Sequence, residues 1–345
     1  SSATITTASN SSGGSEPETP DSIRFNAPRQ YASQNRAVTT KDYEARVKTI
    51  FPNAKSVQVW GGEDNNTPVY GRVYISINPK SGVSVTESNK ADIITQLKDF
   101  NVASITPVIE DPETTFIQLN VVVKYDQKAT TKAPDTIKSL VQNTITTYNE
   151  NNLQQFDQMF RHSKFIETIN KVDTAILSNI TTVKLHKSFT ATTTGTTTYT
   201  IGFNNAFYNP HSGHNASGGG ILVSTGFKVS GDTTNEYFLD EDGEGNVRLY
   251  YITAGVRTYT NSTQGTIDYT NGTIVLNSLH ISSVSNINGS TSTAVRLTIV
   301  PNSVDIKPVR NQVIEIDETN TTTTVTADDF DTTSGIGYTT STSYA

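Results

Sequence analysis

The periodicity of the chain changes once, near residue 181, and that change limits what it can fold into. Before it, segments with apolar residues every three or four positions alternate with short runs of period two, the mark of helices interleaved with strands. After it, helical spacing disappears, and β-branched and aromatic runs recur between turn residues. Such a chain is expected to build an α+β unit and then a β-rich one. Composition agrees. Of the 345 residues, 34% are hydrophobic and 17% charged, and Thr, Ser, Asn and Gly fill the difference. Thr in particular suits a pleated, half-solvated surface.

The expected organisation has four parts. Residues 1–22 are rich in Ser, Thr, Gly and Pro and read as a flexible linker, or as a segment that orders against a partner. Residues 23–180 read as an α+β domain with helices on a small mixed sheet. Within it, "TTKDYEARVKTIF" predicts a helix capped by Thr39 or Thr40, with Asp42 in its first turn and Tyr43, Val47 and Ile50 on one face. "KSVQVW" and "VYGRVYISI" predict strands around the loop "GGEDNNTP". A helix with Ala91, Ile94 and Leu97 on its apolar face follows, then a long strand, Phe116–Tyr125. Two further helices are expected. One carries Ile137, Leu140, Val141, Ile145 and Tyr148; the other, over 164–177, carries Phe165, Ile169, Val172 and Ile176. Residues 181–295 read as a β-rich domain with an acidic-tipped hairpin over 235–252 and a second hairpin at Tyr-Thr-Asn-Gly, 269–272. Residues 296–345 complete the chain as a returning strand and an extended C-terminal tail. In that tail, 307–317 should add to a sheet edge, in its own chain or a neighbour's.

Several kinds of chemistry are disfavoured. The net charge is −7 and the basic residues are scattered, which argues against nucleic acid as a partner. There is no cysteine, hence no disulfide and no Cys-ligated zinc. No apolar run approaches the roughly 18 residues of a membrane span. Met159 is the only methionine, so the chain is expected to be processed or part of a longer polypeptide. His211 and His214 have metal-ligand spacing but lack an obvious third ligand, and His162, His186 and His280 stand alone. "DEDGEG" puts Asp240, Asp242 and Glu244 on alternate positions, like the start of a calcium loop. The twelfth position, which should be Glu, is Tyr251, so these three are weak metal candidates. Gly61-Gly62 precedes an acidic loop, which is no phosphate cradle. No Ser/His/Asp set and no carboxylate pair can be nominated. No catalytic residue and no cofactor is expected, and the chain reads as a non-enzyme.

One segment is specified without being chemical. In residues 27–79 the order Arg-Ala-Val-Thr, Asp-Tyr-Glu, Phe-Pro, Trp-Gly-Gly-Glu, Tyr-Gly-x-Val resembles the core of the baseplate-J-like proteins of contractile-tailed phages. "VPNSVDIKPVRNQVIEID", residues 300–317, resembles the C-terminal part of the inner baseplate wedge proteins of T-even-like phages. The resemblance extends over most of 23–180 and 295–318, and the stretch 185–290 matches less well. It implies a structural protein of the virion tail baseplate, assembled in the host cytoplasm. Such a protein forms a homodimer within each wedge and joins wedges into a ring. Its implied neighbours are other wedge proteins, sheath-initiator and hub-proximal proteins. Interface candidates are Trp60, as an anchor, and Arg310, Asn311, Gln312, Val313 and Ile314, as an added strand. Arg36 is expected to pair with Asp42 or Glu44. The competing reading is a β-rich adhesin or carbohydrate-binding module, for which the Tyr- and Asn-rich stretch would provide stacking groups.

Overall fold

Thr39 converts an extended segment into a helix. Its hydroxyl accepts the Asp42 amide at 3.3 Å while Asp42 Oδ2 accepts the Thr39 amide at 2.8 Å, a reciprocal capping box. The computed structural model describes residues 19–32, 36–65, 67–80, 84–102, 104–215 and 220–328. Helix α1 is Pro20–Ala32, so the expected linker gives way to helix at its last residues, and residues 1–18 of that linker lie outside the described residues. The capped helix is α2, Thr40–Ile50, with Tyr43 and Val47 buried.

The described chain is α+β and mostly β. It divides into two compact units, each assembled from three stretches of sequence. Of the described residues, the first takes those up to 115, 152–159 and 307–315; the second takes 116–151, 160–306 and those from 316 on. In the first, β1 (Ala54–Gly61) runs antiparallel to β2 (Arg72–Pro79). Helix α3 (Glu87–Leu97) then leads to β3 (Thr106–Glu110), parallel to β2, so this sheet is mixed. Val57, Val59, Val73, Ile75 and Ile77 from the sheet and Tyr43, Val47, Ile93 and Leu97 from the helices form one core. Two sequence expectations change here. The buried side of α3 is Lys90, Ile93 and Leu97, not Ala91 and Ile94; Lys90 is tolerated because its ammonium reaches Glu87 at 2.7 Å and Asp111 at 2.8 Å. Strand β3 was not anticipated, since it is five residues long and holds Pro107, which edge strands accept.

The second unit holds two sheets. Strand β4 (Glu113–Tyr125) enters it at Phe116 and pairs antiparallel with β5 (Ile176–Thr190). Between them in sequence lie α4 (Pro134–Asn152) and α5 (His162–Asn170). The second of these helices is shorter than expected. Asp173 turns the chain by accepting the Ala175 amide at 2.9 Å, and Ile176 becomes the first residue of β5. Residues 117, 119, 121 and 123 of β4 are at most 1% exposed, on the side where α5 packs on β5. Tyr148, Phe160 and Phe165 meet edge to face beneath the helices.

Seven antiparallel strands form the other sheet, in the order β13-β8-β9-β10-β11-β12-β6. These are β6 Thr197–Gly202, β8 Phe227–Val229, β9 Tyr237–Glu241, β10 Asn246–Thr253, β11 Val256–Asp268, β12 Thr273–Leu279 and β13 Ile281–Val284. Both hairpins expected from the sequence are present, β9–β10 around the acidic tip and β11–β12 around Asn271-Gly272. The returning strand is β14 (Ala294–Ile299). It pairs with β5 and, on its far side, with β7 (Leu222–Ser224). The tail then forms β15 (Gln312–Ile316) and β16 (Thr322–Ala327), the latter parallel to β4.

One turn was not legible. β10 and β11 are joined at Ala254-Gly255 with φ of 50° and 79°, a conformation that favours Asn-Gly. Replacing Ala254 with Asn is therefore expected to raise stability by about 0.5–1 kcal/mol, read as a higher urea midpoint with unchanged slope.

Candidate assembly interface and the acidic hairpin

Trp60 pairs with Tyr74 one residue before the end of β1, and its surroundings explain the Trp-Gly-Gly-Glu run. Its ring stacks on Tyr74 with centroids 5.8 Å apart and planes 13° apart, and its indole N–H donates to Asn65 Oδ1 at 2.7 Å. It is 6% exposed. The Gly62 carbonyl accepts the amides of Asn65 and Val69, which closes the loop over the ring. Trp60 thus anchors the loop of its own unit. At the start of α2, Asp42 accepts the cap amides of Val38 and Thr39, and Glu44 pairs with Lys41 at 2.9 Å.

The run 310–314 meets the same unit. The Arg310 guanidinium donates to the Asp64 carbonyl. Asn311 sits at φ 63°; its amide donates to Gln58 Oε1 at 2.6 Å and its side-chain nitrogen to the Asp111 carbonyl at 3.1 Å. Gln312 donates to the Thr115 hydroxyl. Val313 bridges Phe156, and the Ile314 carbonyl accepts the Gln154 amide at 2.9 Å. Gln312, Val313 and Ile314 are at most 2% exposed, and β15 lies beside β4, so in this structure the 312–316 part of the segment adds to a sheet of its own chain. The acceptors that hold it were not foreseen. Gln154 joins Lys55 at 2.6 Å and Glu315 at 2.8 Å, and Gln58 also reaches Asp157 at 3.1 Å. Residues 152–159 have neither helical nor strand period, so nothing in their pattern pointed to this role.

The three carboxylates of the acidic hairpin do not converge. Asp240 is 1% exposed and accepts Arg248 Nε at 2.9 Å, Arg257 Nη1 at 2.7 Å and the Tyr259 hydroxyl at 2.8 Å. Both guanidiniums also lie over rings, Arg248 on Tyr259 at 4.5 Å and Arg257 on Tyr250 at 4.7 Å. Asp242 closes its own turn by accepting the amides of Glu244 and Asn246, and Glu244 accepts the Ser212 hydroxyl at 2.5 Å. These residues therefore close a hairpin rather than a calcium loop, and every one of them has a protein partner. Among the described residues no three metal-ligating side chains meet. His214 Nδ1 lies 2.9 Å from the His211 carbonyl, and its Nε2 is 3.4 Å from Glu241 Oε1.

Glu241, adjacent to Asp240 on β9, is fully buried on the other face. It accepts the Gly243 amide at 2.6 Å and the Tyr269 hydroxyl at 2.5 Å. Burial and then that carboxylate push the Tyr269 hydroxyl's pKa far up. An open cleft of about 490 Å³ lies beside it, lined by Asn209, Ser212, Glu244, Asp268 and Tyr269 among others. Its polar groups are largely occupied internally: Tyr269 with Glu241, Ser212 with Glu244, and Asp268 with the turn amides of Thr270 and Asn271.

A second buried pair fixes the start of the tail's last turn. His186 Nε2 lies 2.7 Å from Asp317 Oδ2, and the imidazole stacks on Phe116 at 5.0 Å. Burial alone would raise the Asp317 pKa, but the His186 bond and the Asn320 side-chain and amide bonds outweigh it and hold the carboxyl at about 2. A depressed carboxylate stabilises the fold above its ordinary range near 3.8, and this contribution is lost as pH falls through about 2. The expected loss is roughly 2 kcal/mol between pH 4 and 2. Urea midpoints of the wild type and Asp317→Asn should therefore differ at pH 5 and converge near pH 2.

Internal polar bonds hold these elements together, among them Trp60 to Asn65, Asn311 to Gln58 and Arg248 to Asp240. Two family models match consecutive stretches of the chain. Residues 39–110 match the model described as baseplate structural protein gp6, C-terminal domain I, and residues 113–188 match C-terminal domain III of the same protein. A curated relative is the baseplate wedge protein gp6 of Enterobacteria phage T4, 29% identical over 174 residues. That alignment covers 50% of this chain and 26% of the relative, so the chain spans about a quarter of that protein's length. A solved structure, the sixfold-symmetrised cryo-EM baseplate of the anti-feeding prophage, aligns over 48% of this chain and 37% of its own. Its identity is 11% and its TM-score 0.35, too low to establish a shared fold.

Proposed function

We propose that this chain is a structural, non-enzymatic component of a contractile phage tail baseplate. It is a gp6-type wedge scaffold of the virion, related through residues 27–79 to the baseplate-J-like proteins. The observation that carries the reading is the consecutive match of 39–110 and 113–188 to two C-terminal gp6 domains. The internal use of its polar groups supports it, because a scaffold needs rigid elements more than a reactive pocket. In this reading the chain dimerises within a wedge, links wedges into a ring around the hub and relays rearrangement to sheath contraction. Other wedge proteins, sheath-initiator and hub-proximal proteins are its neighbours. The competing adhesin reading gains little from the hairpin cleft, whose Tyr269 and Asp268 are already bonded within the chain. Sedimentation equilibrium of the full chain tests the homotypic part. A reversible dimer is expected at micromolar concentration, and a monomer at every concentration would overturn it.

A further inference from the structure

The chain contains two Asn-Gly pairs, Asn271-Gly272 and Asn288-Gly289, and the fold treats them in opposite ways. We propose that Asn288 is a site of spontaneous deamidation, converted through a cyclic imide to a mixture of aspartate and isoaspartate, and that Asn271 is protected from the same reaction. The inference goes beyond the scaffold reading and does not depend on it.

The reaction needs only water. The Gly289 nitrogen attacks Asn288 Cγ. The new N–Cγ bond forms as the Cγ–Nδ2 bond breaks, and ammonia leaves with the proton that the Gly289 amide gives up. Water then opens the imide at either carbonyl. Attack requires an approachable amide nitrogen, a peptide free to rotate and no crowding from the following residue, which glycine ensures because it lacks Cβ.

These conditions are met at 288–289. Both residues are exposed, and a Cβ on Gly289 would meet nothing within 4 Å. The Gly289 amide makes no backbone hydrogen bond among the described residues. Asn288 at φ 52° and Gly289 at φ 78° form a tight turn. It is closed by an isolated bridge, in which Ile287 and Ser290 exchange amide-to-carbonyl bonds of 2.9 and 3.0 Å. A turn held by a single residue pair opens at small cost, and opening lets the peptide rotate toward Cγ.

At 271–272 they are not met. Gly272 is buried; its amide donates to the Asp268 carbonyl at 2.9 Å, and its carbonyl accepts the amides of Phe203 and Asn204. Asp268 also holds the Asn271 amide at 2.9 Å and the Asn271 side-chain nitrogen at 2.6 Å. This turn closes the β11–β12 ladder, so freeing the nucleophile means parting paired strands. Asn288 Nδ2, in contrast, donates to Asn320 Oδ1 at 3.2 Å. Deamidation replaces that donor with a carboxylate, so the bond is lost and the formal charge becomes one unit more negative than −7.

The test keeps the full chain folded in mildly alkaline buffer for weeks and follows both sites by peptide mass spectrometry with fragmentation that resolves isoaspartate. Asn288 should be modified about tenfold faster than Asn271, with isoaspartate among its products. In concentrated urea, where both pairs are free, the two rates should become comparable. Gly289→Ala should slow modification of Asn288 severalfold in urea, where the turn has no influence. Equal rates in the folded chain, faster reaction at Asn271, a gap that persists in urea, aspartate without isoaspartate, or no slowing by Gly289→Ala would each overturn the proposal.

Discussion

Replacing Asp240 with alanine should lower the stability of the chain by about 3–5 kcal/mol. The carboxylate is 1% exposed and is the ion-pair partner of two guanidiniums, one of them, on Arg248, only 8% exposed. Without it, a positive charge is left in a buried site next to Arg257, and the Tyr259 hydroxyl loses its acceptor. Arg248 keeps its bonds to the Glu241 and Asn215 carbonyls, so it cannot swing to water without breaking the hairpin. Asp240→Leu combined with Arg248→Met should cost less than Asp240→Ala, because the more buried of the two unpaired charges is removed and only Arg257, 32% exposed, is left without the carboxylate. Urea unfolding followed by fluorescence measures both. A loss below about 1 kcal/mol for Asp240→Ala would mean that the network is ornamental.

Gly62→Ala should cost about 3 kcal/mol, and Gly61→Ala less than about 1 kcal/mol. A Cβ on Gly62 would lie 2.0 Å from the Val69 carbonyl oxygen and 3.2 Å from that of Arg72. Both are backbone atoms, and Val69 is itself tied to the Gly62 carbonyl at 2.9 Å, so relief requires opening the loop. A Cβ on Gly61 would meet only the Glu63 carboxylate, the free end of a flexible side chain, and its φ of −73° suits any residue. Thermal unfolding of the two variants should separate them clearly. Equal losses would refute the account of why two glycines follow Trp60.

Those two glycines show what the sequence did and did not reveal. Helix α2 was legible because a cap, a first-turn acid and an apolar stripe agree at Thr39, Asp42, Tyr43 and Val47. The β11–β12 hairpin was legible because Asn-Gly has strong local turn chemistry, whereas Ala254-Gly255 does not and its turn was missed. The end of α5 was misplaced because Val172 and Ile176 continue its apolar period, while the turn depends on a local bond from Asp173. The composition of each compact unit was out of reach. It depends on distant polar partners such as Gln58 with Asn311 and Asn149 with Ile316, which leave no periodic trace. The acidic tip suggested metal because alternate acids look alike in sequence; Arg248, Arg257 and Tyr259, which claim Asp240, approach it only through strand register.

The most direct measurement of the central claim is quantitative mass spectrometry of purified contractile tails, separated into baseplate and sheath fractions. The scaffold account predicts this chain in the baseplate fraction, in a copy number that is a multiple of six. Its absence from tails, or its recovery only as free monomer, would contradict the account.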